Sequence, residues 1–176
     1  MEVPTLQNLL GRLRRLQVRG GTPATTTNDW YEVHLFPPAR ESEIHSALRL
    51  VNKPLPEDFK QFWRYTDGAN LFVNESGLHG VGVASTELLI DLHQEEIEVY
   101  GDTTLEDYVV FARVNGSGDF LVFHTPTGRV LDGIHAEQPE EWRVVANSFN
   151  EWLHAFIEAG GRYYWIEELY ASSPPA

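Results

Sequence analysis

The residues of this sequence that could do chemistry are its histidines and carboxylates, because the chain of 176 residues has no cysteine. Thiol catalysis, disulfides and cysteine-ligated zinc are therefore excluded. None of the seven histidines stands in a His-x-x-x-His or His-Glu-x-x-His pattern, which would place two zinc ligands on one helix face. The nearest approach to a metal site is His93 between Asp91 and Glu95. We expect no metal ion and no cofactor.

Motifs for nucleophilic catalysis and for phosphate binding are also missing. The chain has no Gly-x-Ser-x-Gly elbow and no Walker loop. Gly80 and Gly82 lack the third glycine of a dinucleotide site and indicate a bulge or a close backbone approach instead. These patterns favour a binding protein without catalytic residues. The open alternative is a hydrolase whose histidine or carboxylate site has no sequence signature.

The net charge of −13 is unevenly distributed along the chain. Residues 1–20 carry a net charge of +3, so residues 21–176 carry −16. An acidic body repels nucleic acid and anionic membranes and attracts basic proteins; alternatively, the acidity only maintains solubility. The densest acidic stretch predicts a surface loop, and its candidate partner-binding residues are Glu95, Glu96, Glu98, Asp102, Glu106 and Asp107.

Residues 1–28 predict a basic amphipathic helix, over Thr5–Val18, followed by a linker rich in threonine and glycine. Such a helix could bind a membrane surface or a partner. We favour a first helix that docks on its own acidic body. No apolar run has the ~20 residues of a membrane span, and the start lacks the features of a signal peptide. We therefore expect a cytoplasmic protein.

The best-marked short helix lies within the stretch 55–68. Proline is suited to a first helical position, acidic residues to the first turn, and glycine to the residue that ends a helix. Three large rings at i, i+3 and i+4 predict a side that belongs to the core. This structural motif comprises Leu55, Pro56, Asp58, Phe59, Phe62, Trp63, Asp67 and Gly68.

The second half of the chain predicts strands followed by a helix. Tyr108–Val114, Phe120–Phe123 and Arg129–Ile134 are rich in β-branched and aromatic residues, and glycine-containing turns separate them. Two tight connections in a row predict an antiparallel meander. Ser148 and Glu151 form a capping box at the start of the last long helix. Residues 163–176 are predicted to be a C-terminal extension.

Taken in order, these features resemble the SUKH superfamily, which includes the fungal Smi/Knr regulators and bacterial toxin-immunity proteins. The most specific piece is Leu-Pro-x-Asp-Phe-Lys from Leu55, followed by Asp67-Gly68, where the family usually has Asn-Gly. The resemblance spans about residues 30–158. Its other pieces are Phe36–Ile44, Leu78–Gly80, Tyr108–Phe111, Phe120–Phe123 and Asn147–Leu153.

The resemblance implies an α+β fold in residues 29–162: a single antiparallel sheet with helices packed on it. It also implies no catalysis. Bacterial members neutralise toxins, often nucleases or deaminases, by direct binding. We therefore expect an immunity protein that binds a basic toxin domain, does not bind nucleic acid or membrane, and is a monomer or a weak homodimer. The alternative is a regulatory protein-interaction scaffold of the Smi/Knr type without a toxin partner.

Overall fold

The fold of the chain is built on one antiparallel sheet. The computed structural model describes residues 2–171, with side chains described for residues 2–168. Eight strands are ordered in the sheet as they are along the chain, so each strand pairs with the next. The strands are β1 (Thr22–Pro23), β2 (Trp30–Leu35), β3 (Ala69–Val73), β4 (Val81–Val83), β5 (Tyr108–Val114), β6 (Phe120–His124), β7 (Arg129–Gly133) and β8 (Arg143–Ala146). The predicted meander is confirmed.

The helices lie between and after these strands. A short 3-10 turn, Pro139–Glu141, precedes β8. The α-helices of the described chain are α1 (Leu6–Val18), α2 (Glu41–Val51), α3 (Glu57–Tyr65), α4 (Leu89–Tyr100), α5 (Phe149–Glu158) and α6 (Tyr164–Ala171). The structure therefore confirms the α+β class with a single antiparallel sheet. Within the described residues, no helix combines the length and the apolar character that crossing a bilayer requires.

The two faces of the sheet carry two separate clusters of buried side chains. Successive residues of a strand point to opposite faces. Leu121 and Phe123 of β6 therefore join the main core with α1, α3 and α5, whereas Phe120 and Val122 join a smaller cluster on the other face. Leu92, Ile97 and Tyr100 of helix α4 pack against that smaller cluster. The sheet thus separates α1 from the C-terminal half of α4.

Helix α3 supplies the centre of the main core, as predicted. Phe59, Phe62 and Trp63 are fully buried, and the Phe59 ring packs edge-on against Phe111 and Phe123 of the sheet. The predicted helix ends need correction. Pro56 is the capping residue before the helix, because its backbone is extended (φ −56°, ψ 142°).

The predicted role of Gly68 as the residue that ends α3 is wrong. The helix ends at Tyr65, and Thr66 is already extended. Gly68 has φ +86°, and a β-carbon there would lie 2.9 Å from the backbone of Ser85. Gly68 is therefore required by a close backbone contact at the start of β3.

Asp58 of the same motif connects α3 to α5. One carboxylate oxygen accepts a hydrogen bond from the Phe59 N–H, and the other accepts from the Asn150 N–H at 2.9 Å, in the first turn of α5. An acidic group stabilises the N-terminus of a helix, whose first N–H groups lack intrahelical partners. Ser148 caps the same helix by accepting from the Glu151 N–H, so one half of the predicted capping box is present.

The N-terminal helix docks on the body, which is the interpretation that we favoured. Its residues Leu9, Leu10 and Leu13 are buried in the main core, and Arg12 pairs with Glu158 of α5. The apolar face of α1 is therefore not available to a membrane. The predicted linker contains β1, which pairs with β2.

The C-terminal segment also contributes to the main core through Trp165, and Arg143 donates to the Trp165 carbonyl. The predicted domain boundaries after residues 28 and 162 stay predictions. Of the predicted extension, residues 172–176 lie outside the described residues.

The docking of α1 predicts how two substitutions change stability. Leu13→Ala should lower the free energy of unfolding by about 2–5 kcal/mol, because it leaves a cavity beneath a side chain with 0 % exposure. Val18→Ala is the control in the same helix, because Val18 is 82 % exposed, and its effect should stay within about 0.5 kcal/mol. Urea unfolding of the full chain measures both values. If both substitutions change the free energy of unfolding by equally small amounts, the docking of α1 on the main core is contradicted.

Candidate partner-binding surface

The structure places the predicted partner-binding residues along one helix and the loop that follows it. The expected surface loop is wrong for the first part, because Glu95, Glu96 and Glu98 lie within α4. The remaining three are exposed in the loop between α4 and β5: Asp102, Glu106 and Asp107. The residues therefore lie on consecutive segments, but they do not all face solvent.

Glu96 belongs to the fold and not to the exposed surface, since it is only 2 % exposed. Its carboxylate accepts from Arg113 at 2.8 Å and lies 3.0 Å from the His135 Nε2. Arg113 also pairs with Glu95. A buried carboxylate is tolerated when such partners satisfy it. We call these four residues the Glu96 network; it fixes the inner side of α4 to β5 and to the chain after β7.

Lys53 stands among the acidic residues of the loop. Its ammonium group donates to the carbonyl oxygens of Leu105 and Tyr108, at 2.6 and 3.3 Å, and so ties the loop to the end of α2. Burial lowers the Lys53 pKa, and three carboxylates oppose that shift: Asp102, Glu106 and Asp107. Lys53, Asp102 and Glu106 line one cavity of about 510 Å³. This part of the acidic surface is thus partly neutralised.

His93, the histidine of the metal candidate, is buried on the inner side of α4. Burial lowers its pKa to about 4, and the charge of Lys53 acts in the same direction. Lys53 lies 3.3 Å from Nε2 and the Val110 N–H donates to Nδ1, so two donors already face the ring. Asp91 and Glu95 are exposed. Within the described residues, no three histidine or acidic side chains converge as metal ligands would.

Besides His93, one carboxyl group has a strongly shifted pKa. Asp132 is 2 % exposed, and burial raises its pKa to about 6 although Arg143 lies 3.1 Å away. Both perturbed groups, Asp132 and His93, are enclosed by the protein. A general acid or base must contact its substrate directly or through one water. Neither group is therefore placed to act on a molecule from outside.

Sequence reasoning missed a groove that lies between three segments distant in the chain. Its cavity volume is about 460 Å³. One wall is Phe36–Pro38 with Glu43 of α2, and the base is Asp67, Gly68, Asn70 and Val83. The other wall is Ser85, Glu87 and Leu88, just before α4. Phe36 and Leu88 are 44 % and 57 % exposed, which is unusual for large apolar side chains beside a cavity.

A hydrogen-bonded junction holds the base of this groove to both walls. The Asp67 N–H donates to the Pro37 carbonyl at 2.9 Å. The Thr66 hydroxyl accepts from the Phe36 N–H at 2.8 Å and donates to the Gly68 carbonyl. On the other side, the Asp67 carboxylate accepts from the N–H and the hydroxyl of Thr86, at 2.7 and 3.0 Å. The groove is therefore pre-formed in the free protein.

The junction predicts different effects for two substitutions of Asp67. Asp67→Ala should lower the free energy of unfolding by about 1–3 kcal/mol, because it leaves two polar groups of the buried Thr86 without partners. Asp67→Asn keeps one acceptor for the Thr86 N–H and should cost less than half as much. Urea unfolding measures the costs, and amide exchange at Thr86 reports the local bond. Equal costs would contradict this role of the carboxylate.

The buried His93 predicts how stability changes with pH. Because the native pKa lies near 4, the unfolded chain binds the proton first as pH falls below about 6.5, and the native state loses stability. Between pH 7 and pH 5 this loss should be about 2 kcal/mol for the histidine alone.

His93→Gln should remove that loss, whereas the control His45→Gln removes an exposed imidazole and should retain it. Asp132, whose raised pKa has the opposite effect, is common to all three proteins and cancels in the comparison. Urea unfolding at both pH values gives the difference. An unchanged pH dependence in His93→Gln would show that the buried ring takes up protons in the native state.

Comparison with known proteins agrees with the sequence pattern. No curated protein matches the chain. The profile of the SMI1 / KNR4 family (SUKH-1) matches residues 38–155, which include α4, the acidic loop and the groove lining except Phe36 and Pro37. The match covers the α3 motif, the meander from β3 to β8 and most of α5. The chain therefore belongs to the SMI1 / KNR4 family (SUKH-1).

Proposed function

We propose that this protein is an immunity protein, which neutralises a toxin domain of the nuclease or deaminase type by binding it directly. Membership of the SUKH-1 family supports a protein that acts through protein partners, as a toxin antagonist or as a Smi/Knr-type regulator. The charge of the body favours the first alternative. In this proposal the protein acts in the cytoplasm and performs no catalysis.

The observation on which the proposal depends is the exposed side of α4. Helix α4 has no lysine or arginine, and exposed carboxylates stand on its outer side and on the segments before and after it. Glu96 is excluded from this surface by its burial, and Glu95 already pairs with Arg113. The other four predicted residues are exposed, and two more exposed carboxylates lie near the start of α4. We call these six residues the acidic face: Glu87, Asp91, Glu98, Asp102, Glu106 and Asp107.

An acidic face has a direct physical use against a nuclease. Nucleases bind phosphate groups, so their active surfaces are basic. A complementary acidic surface accelerates the encounter of the two proteins and then occupies the region that nucleic acid would use. The strength of the final complex depends on buried contacts more than on these exposed charges.

The identity of the partner is tested by capture from the native host. The full chain with a C-terminal tag is used as bait at low and at moderate salt, and bound proteins are identified by mass spectrometry. The proposal expects one basic protein whose recovery falls as salt rises, because salt screens exposed charges. Its isolated toxin domain should lose activity when the protein is added. Several unrelated partners without toxin activity would favour the Smi/Knr-type scaffold.

The acidic face predicts the kinetics of this complex. A variant with four reversed charges should bind the captured toxin more slowly, with an association rate lowered by about tenfold or more at low salt. The variant carries Glu98→Lys, Asp102→Lys, Glu106→Lys and Asp107→Lys.

A matched control has the same change in net charge at exposed positions elsewhere: Glu2→Lys, Asp29→Lys, Glu32→Lys and Glu75→Lys. Stopped-flow association at several salt concentrations compares the two variants with the unmodified chain. Equal slowing by both variants would mean that overall charge, and not the acidic face, attracts the partner.

A further inference from the structure

The groove beside Phe36 and Leu88 exposes apolar surface that the fold does not use. The two side chains stand on its opposite walls, with Pro37 and Pro38 beside the first. Fold stability would favour turning such side chains inward, since burial of apolar surface is favourable. Their position on the rim of a pre-formed cavity is typical of a surface that becomes buried in a complex.

The charges around the groove select the chemistry of an occupant. Its lining includes the carboxylates of Glu43, Asp67 and Glu87 and no lysine or arginine. Glu43 is paired with Arg40, which stands outside the lining, and both oxygens of Asp67 accept from Thr86. Glu87 is exposed and has no ion pair within the described residues. A cationic group beside an apolar one therefore complements this site.

The groove also continues into the acidic face. Glu87 and Leu88 precede the first turn of α4, and Glu98 lies near its other end. At about 1.5 Å per residue, the groove and the acidic loop are roughly 15–20 Å apart along one helix. One globular partner can cover both, because a typical interface has about 20–30 residues on each side.

We propose that the groove binds an apolar side chain of a basic protein segment, next to a lysine or arginine that pairs with Glu87. This inference deepens the proposed function and rests on it for the identity of the partner, a basic toxin domain. The groove would supply the buried contact that holds the complex, while the acidic face would supply attraction. A second copy of this acidic chain is a poor occupant, because two negative bodies repel each other.

The first test uses a synthetic probe, so it does not depend on finding the toxin. A peptide with one tryptophan between two pairs of lysines is added to the full chain labelled with nitrogen-15. We expect saturable shifts of the amide signals of Gly68, Ser85 and Leu88. The control peptide, with glycine in place of tryptophan, should shift signals of the acidic face, Glu87 included, without saturable shifts of Gly68 and Ser85. Identical shift patterns for both peptides would overturn the proposal.

Paired substitutions test the same surface. Phe36→Ser with Leu88→Ser should weaken binding of the tryptophan peptide by about tenfold, because it removes the apolar walls. Leu50→Ser with Leu78→Ser is the matched control. These two side chains lie outside the groove and are 62 % and 69 % exposed, and the substitutions likewise replace large apolar side chains by serine. The control should bind as the unmodified chain does. Equal affinity for all three proteins would overturn the proposal.

The captured toxin separates failure of this inference from failure of the proposed function. If a toxin is neutralised and the Phe36→Ser, Leu88→Ser variant dissociates about tenfold faster, both proposals are supported. If the toxin is neutralised and dissociation is unchanged, the groove is overturned and the immunity function stands. If no toxin is captured but the tryptophan peptide occupies the groove, the immunity function fails and the groove remains a site for basic segments.

Discussion

The packing of α3 against the sheet is the constraint on which the rest of this structure depends. Phe59 contacts the rings of both central strands, and the Trp63 indole N–H donates to the Ala84 carbonyl at 3.0 Å. That bond fixes the chain between β4 and α4 relative to the core. Thr66 and Asp67 follow directly after α3, so the position of the helix also sets the base of the groove. The packing of α3 in the core therefore also determines the position of a candidate binding surface.

The Glu96 network gives α4 two different sides. Its inner side carries a buried carboxylate and a buried histidine, which would cost several kcal/mol each if they lost their partners. Its outer side is free to carry acidic residues that contribute little to stability. This division explains how a helix without a side-chain cap and without basic residues is stable: tertiary contacts replace local ones.

Local chemistry decided which parts of the fold could be predicted. The α3 rings, the meander turns and the Ser148 cap depend on neighbours a few residues away, and their prediction succeeded. The prediction of a loop for the acidic stretch was wrong, because crowded glutamates are typical of solvent-exposed loops. The partners that allow Glu96 to be buried lie on β5 and beyond β7, far along the chain. The groove was not predictable, since its lining comes from three distant segments. The role of Asp67 was not predictable either, since its partner Thr86 lies 19 residues away in the chain.

The charges of α1 and of the acidic face suggest how a partner would be oriented. Helix α1 exposes Arg14, Arg15 and Arg19 on the side of the main core, and none of the three has an ion pair within the described residues. The acidic face lies on α4, which packs on α2 and β5, and on the segments that flank this helix. A basic protein is repelled by these exposed arginines and attracted to the acidic face, so the electrostatic field orients the two molecules before they touch. Uniform acidity would provide solubility without this orientation. The separation of charge therefore favours α4 and its groove as the side that meets a basic partner.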